Sequence, residues 1–261
     1  MVMTVPVDKK ALEPNLIFSK EIQYNEHIML YPVKMKDIFM FQKIQEVLTL
    51  RKDAIFQEKQ IIKMEYLDFL KYAYHNNELS EKYHMPQLYF YLDFVFNLFY
   101  LVCGENTNLS CNPSTLDFSI NDFAITNSVF DDLRKIIIIQ NDIDFDTDEF
   151  MNIDTVKALE KAREFETKKT GGTVELEDYI DSLAVSINVT EEYISNLTIR
   201  KFWRYIKRIN KHEEYKACRS GQMSGMVTFK EPIQHWMTSI EVTDKYEDLK
   251  TNESELRSKL E

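Results

Sequence analysis

"IDSLAVSINVTEEYISNLTIRKFWRYIKRI", Ile180 to Ile209, has the cadence of an apolar helix, a short turn, a second short helix and a strongly basic third one. The spacing fits a helix-turn-helix skeleton. Ala184 falls at the small packing position, Asn188 at the turn, and Ile194 and Leu197 at the apolar positions of the second helix. In a DNA reader that second helix, Thr190 to Leu197, lies in the major groove, yet its first turn carries Glu191 and Glu192. Those carboxylates have the wrong sign for phosphates and base edges. A threonine followed by two acids is instead what a well-capped helix N-terminus requires. The third helix places Ile199, Phe202, Trp203, Ile206 and Ile209 on an apolar stripe, with Arg204, Lys207, Arg208 and Lys211 down another face.

Charge decides what that basic face can meet. Between 200 and 219, Arg200, Lys201, Arg204, Lys207, Arg208, Lys211, Lys216 and Arg219 are opposed only by Glu213 and Glu214, a net of +6. From Asp142 to Asp181 there are 13 acidic and 5 basic residues, a net of -8. The whole chain carries -11, so contact with nucleic acid could only be local. Opposite blocks in one chain most simply pair with each other, or with an acidic polypeptide partner.

The 261 residues are 44% apolar and 13% aromatic, enough for a substantial core. Cys103, Cys111 and Cys218 lack CxxC spacing and read as reduced thiols. "MVMTVPVDKKALEPN" has no apolar core of a signal peptide. The longest apolar run, "LYFYLDFVFNLFYLVC", contains Asp93 and Asn97 and reads as a buried helix, not a membrane span.

The expected fold class is mainly α with small β-hairpin elements, in two helical modules. A hairpin is expected where Ile22, Tyr24, Ile28, Leu30 and Pro32 flank Asn25-Glu26-His27. Helices follow from Met35, over "MEYLDFLKYAYHNN", and from Pro86 to the closing Gly104. "ENTNLSCNPS" reads as a polar loop, and Leu116, Phe118 and Ile120 as the first strand of a hairpin turning at Asn121-Asp122. "NSVFDDLRKIIIIQND" is ambiguous between strand and helix, and a cap at Asn127/Ser128 favours helix. A helix is expected over "DTVKALEKAREFETKK", ending at Gly171-Gly172, the best hinge in the chain. That divides the chain into residues 1–170 (helices, hairpins and acidic linker), 173–240 (helices including the basic one) and 241–261 (a charged tail with a weak coiled-coil seam).

Catalytic and metal signatures are missing. Asp142, Asp144, Asp146 and Asp148 alternate like the front of a calcium loop, but neither frame supplies the glycine at position six or the glutamate at position twelve. The five histidines share no zinc-ligand spacing, and no GxSxG, GxxxxGK[ST] or GxGxxG occurs. No catalytic residue, cofactor or metal is expected, and the chain reads as a non-enzyme.

"IIIIQNDIDFD", "KALEKAREFE", "TVELEDYIDSLAVSINVTEEYISNLTIRKFWRYIKRINKHEEYKA" and "MSGMVTFKEPIQHW" together resemble proteins found among the tail genes of tailed bacteriophages of Gram-positive bacteria and likened to tail assembly chaperones. "HIMLYPVKMKDIFMFQKIQEVLTL" and "IIKMEYLDFLKYAY" resemble the N-terminal half of the same group. The resemblance implies a non-catalytic role in the host cytoplasm, holding a helical tail component such as the tape-measure protein until tube subunits polymerise. Tube or baseplate components are further partners it implies. Two rival readings are a baseplate or tail structural subunit of the virion and a nucleic-acid binder that uses the basic helix. The residues singled out for partner contact are Arg200, Trp203, Arg204, Lys207, Arg208, Lys211, His235 and Trp236. Self-association through the tail is a further expectation, and no membrane contact is expected.

Overall fold

A computed structural model describes residues 6–145, 147, 174–225 and 227–240. The architecture is mainly α with two small antiparallel sheets. The helix expected over "DTVKALEKAREFETKK", the Gly171-Gly172 hinge and the tail seam lie outside the described residues.

The centre of the body is α8 (Tyr91–Cys103), reached through α1 (Lys9–Phe18), α2 (Ile38–Ile44), α3 (Glu46–Thr49), α4 (Lys52–Ile55), α5 (Lys59–Lys63), α6 (Tyr66–His75) and α7 (Asn77–Lys82). Helix α8 is apolar nearly all round, so it can be stable only inside. Leu92, Val95, Leu98, Phe99 and Val102 are buried on it, with α2 and α6 against it. Asp93 and Asn97, which ruled out a membrane span, both lie at exposed positions of this helix. Among the described residues no helix is long and apolar enough to cross a membrane.

Helix α9 (Asn127–Gln140) closes the core from the other side, and the ambiguous isoleucine run is helical. The cap is Thr126, whose hydroxyl accepts from the Val129 N–H, one residue before the expected cap. Phe130 of α9 stacks on Tyr66 and meets Phe99 edge-on, at centroid distances of 6.2 and 6.1 Å. Arg134 is buried beside them, its guanidinium 3.7 Å over the Tyr66 ring and its Nε donating to the Leu48 carbonyl at 2.7 Å. A buried cation is tolerable only with such partners.

Both expected hairpins form. Strands β1 (Ile22–Gln23) and β2 (Met29–Leu30) pair in antiparallel register, and the Asn25 side chain closes the turn by accepting from the His27 and Ile28 N–H groups. At the second turn Asn121 and Asp122 both take positive φ, 49° and 63°, as a two-residue hairpin turn demands. The expected polar loop contains a strand: β3 (Leu109–Cys111) pairs with β4 (Phe118–Ile120), which pairs with β5 (Phe123–Ala124). Helix α1 has Pro14 inside it and was not singled out by the pattern; it buries Leu12 and Leu16.

Three helices follow the undescribed segment: α10 (Leu176–Ile187), α11 (Glu191–Asn196) and α12 (Ile199–Met223). Asn188 sits between the first two at φ 52°, the left-handed geometry that ends a helix at asparagine. Leu183, Ile194, Phe202 and Ile206 are buried where these helices meet one another and the body. Lys34 and Thr198 form an isolated antiparallel bridge, in which the Met35 N–H donates to the Leu197 carbonyl and the Ile199 N–H to the Val33 carbonyl, at 2.8 and 2.9 Å.

Burial raises the Cys103 thiol, at the end of α8, to about 12, so it stays neutral and unreactive at neutral pH. A thiolate-selective reagent at mildly alkaline pH is expected to modify Cys218 first and to reach Cys103 only in denaturant. Rapid labelling of Cys103 in the native protein would contradict its placement in the core.

Candidate functional site

Thr198 starts α12 by accepting from the Lys201 N–H, and its hydroxyl also meets that of Ser19 at 3.2 Å. The apolar stripe behaves as its spacing requires, with Ile199, Phe202 and Ile206 buried and Ile209 partly so. Trp203 is half-buried, edge-on to Tyr179 of α10 and to Phe202 at 5.2 and 5.0 Å. It belongs to the packing of the three helices.

The helix runs through Ser220 and Gly221. It continues to Met223, and Ser224 then leads to Gly225 at φ 70°. From Ile206, the last buried residue, to Met223 is roughly 25 Å at 1.5 Å per residue. Past Ile209, which is partly buried against the core, this half of α12 lies outside it.

The chain then returns along the helix. Val227 and Phe229 lie beside Gly221, the His235 ring meets Tyr215 at 5.1 Å, and the Trp236 ring meets His212 at 4.7 Å. A turn closed by the Thr238 N–H and the His235 carbonyl brings successive carbonyls toward the helix. Arg208 Nη1 donates to the carbonyls of Trp236 and Thr238, and Lys211 Nζ to that of Ser239 at 2.6 Å.

The remaining cations divide by position. Near the core, Arg200 Nη1 donates to Asp142 Oδ1 at 2.8 Å and Lys207 Nζ to Asp142 Oδ2 at 3.4 Å. One carboxylate at the start of the acidic stretch thus takes two cations of the basic helix. It is also the first residue of the calcium-like run, so that position is spent on an internal pair. Among the described residues no group of three or more His, Cys, Asp or Glu side chains could hold a metal ion. Lys201 Nζ donates to the Ile17 carbonyl, and Lys216 pairs with Glu213 on the same helix, holding that carboxyl below its ordinary range. Arg204 makes no hydrogen bond or ion pair among the described residues.

The eight residues singled out for partner contact therefore separate. Arg200 and Lys207 hold the helix to the body, Trp203 packs half-buried against Tyr179 and Phe202, and Arg204, Arg208 and Lys211 follow one another along the helix at four- and three-residue spacing. His235 and Trp236 lie on the return segment and face the helix. Sequence reasoning missed that the segment folds back. The available signal was Gly225 followed by an aromatic pair able to reach the tyrosine and histidine of the preceding helix.

Helix α11 buries Ile194 and packs against the 3-10 turn Met35–Asp37, leaving Glu191 and Glu192 exposed. Its exposed first turn is thus acidic. Residues 166–241, under a third of the chain, match the family described as YomV second domain. The match marks this chain as phage-related. It takes in all of α10, α11, α12 and the return segment. No curated protein and no solved structure matches the chain.

Asp142→Asn should cost about 1–3 kcal/mol in urea unfolding, because it leaves the largely buried Arg200 guanidinium without its carboxylate. Lys207→Ala, at the exposed end of the same contact, should cost about 1 kcal/mol or less. Equal losses from the two variants would mean that Asp142 is not the anchor of the basic helix.

Proposed function

We propose that this chain is a phage tail assembly factor that works without catalysis, and that the outer half of α12 is where it holds a helical tail component such as the tape-measure protein. The observation that carries this reading is the projecting helix. A helical stretch of that length is marginal in water by itself, and the buried residues of α12 end at Ile206. Its return segment supplies contacts in the free chain, and a client would supply them in the complex. Met223 and Met237 are 77% and 68% exposed there, the adaptable side chains that accommodating protein surfaces use. The YomV-like match supports a phage setting, and the resemblance of both halves to tail assembly chaperones supplies the assembly role.

The internal use of the cations favours a protein partner over nucleic acid. Arg200 and Lys207 already meet a carboxylate, and Arg208 and Lys211 meet peptide carbonyls. The host cytoplasm is the compartment this role implies.

The test is recovery of tail proteins from phage-infected cells on the tagged full-length chain. Changing Arg204, Arg208 and Lys211 together to Glu should lower recovery of the client by about tenfold or more, the equivalent of about 1.4 kcal/mol. Unchanged recovery would remove α12 as the client face. Mass spectrometry of purified particles separates the assembly factor, absent from them, from a structural subunit, present in stoichiometric amount.

A further inference from the structure

The return segment is held in an unusual way for a piece of its own fold. It has no helix or strand, and its backbone bond from Thr238 to His235 is internal to its own turn. Phe229, His235 and Met237 are exposed, while Ile233 and Trp236 are half-buried. What fastens it to α12 is a row of cation-to-carbonyl hydrogen bonds, from Arg208 to Trp236 and Thr238 and from Lys211 to Ser239, together with the Trp236 and His235 ring contacts. Each of these cations is therefore satisfied by a neutral acceptor.

A carboxylate is the better acceptor for either cation, since a hydrogen bond between two ionised groups is shorter and stronger than one with a neutral oxygen. Arg204, one turn before Arg208, adds a cation with no partner among the described residues. Together Arg204, Arg208 and Lys211 present a line of positive charge about 10 Å long at 1.5 Å per residue. An acidic peptide segment fits that line by charge and can displace carbonyl contacts without leaving a buried ion behind.

We infer that residues 235–239 stand in, within the free chain, for an acidic peptide segment of a partner, which takes the same face of α12 by replacing their carbonyls with carboxylates. This rests on the reading of α12 as the client face and names the chemistry of what it takes and what guards it. The covered face is a competition between an intramolecular strap and a client, so the apparent affinity is lowered by the fraction of time the strap is seated. Once displaced, the strap exposes Trp236.

The experiment uses a fluorescein-labelled short poly-glutamate peptide and the full-length chain. Trp236→Ala removes the ring that seats the strap and should tighten peptide binding, by about tenfold if the strap is seated for all but about a tenth of the time. Arg208→Glu should abolish binding of the peptide. As a readout independent of how Trp236→Ala folds, a Trp203→Phe chain leaves Trp236 as its single tryptophan. Its emission should move to the red as the peptide saturates. Equal peptide affinity with and without Trp236, no emission shift at saturation, or no peptide binding to either chain would each overturn the inference. Tighter binding of a polythymidine oligonucleotide of the same charge would overturn the choice of a peptide. The two readings fail separately. If Arg208→Glu still recovers the tail client at full yield, the client face is wrong. If that variant loses the client while Trp236→Ala leaves peptide affinity unchanged, the strap alone is wrong.

Discussion

The architecture turns on a junction of backbone groups at Val33. The Val33 carbonyl accepts from Ile199, its N–H donates to the Asn141 side chain, and two residues on the Met35 N–H donates to Leu197. Three stretches far apart in sequence, the exit of the first hairpin, the end of α9 and the start of α12, meet there. Buried peptide groups cannot be left unpaired without a cost of about 1–3 kcal/mol each, so the meeting is obligatory once Val33 and Thr198 are buried. Asn141 belongs to both sides, since its amide also donates back to the Ile137 carbonyl and caps α9. The next residue, Asp142, takes Arg200 and Lys207. The junction thereby fixes where the first turns of α12 lie, and the rest of that long helix follows as a rigid extension.

This arrangement gives one helix two jobs. Its first half supplies Ile199, Phe202 and Ile206 to the core and anchors its cations on a carboxylate of the body. Beyond Lys207, and among the described residues, its cations meet backbone carbonyls of the returning chain and nearby residues of the helix itself. The difference is one of solvation. A guanidinium as enclosed as that of Arg200 needs an ionised partner, whereas the exposed Lys211 ammonium remains largely hydrated whatever it touches. The inner half is thus strongly bound and the outer half lightly covered.

The structure also explains which parts of the fold were legible in sequence. Helix α8 was plain because thirteen nearly uninterrupted apolar residues can be stable only inside. The hairpin turns were plain because Asn121 and Asp122 tolerate positive φ. Helix α1 was obscured by Pro14, and β3 by the polar residues around it, since Ser110 on that strand points outward to bond the Ser119 hydroxyl at 2.6 Å. Strand β3 exists because β4 offers it an unpaired edge, a fact that no local pattern carries. In the same way, the sequence suggested two helices joined at Asn188, and they form, but that α11 packs on the turn Met35–Asp37 is a contact no local pattern carries.

By itself the sequence determined the helical class, the hairpins, the capped turn at Thr190 and the presence of a basic helix with an apolar stripe. Those properties depend on residues within a few positions of one another, through turn geometry, capping and the 3.6-residue period. Only the tertiary structure decided which cations are spent on Asp142, which meet the strap and where the buried part of α12 ends. Such outcomes depend on contacts between residues as distant as Asp142 and Arg200 or Lys34 and Thr198, where charge alone permits many pairings and backbone geometry admits one.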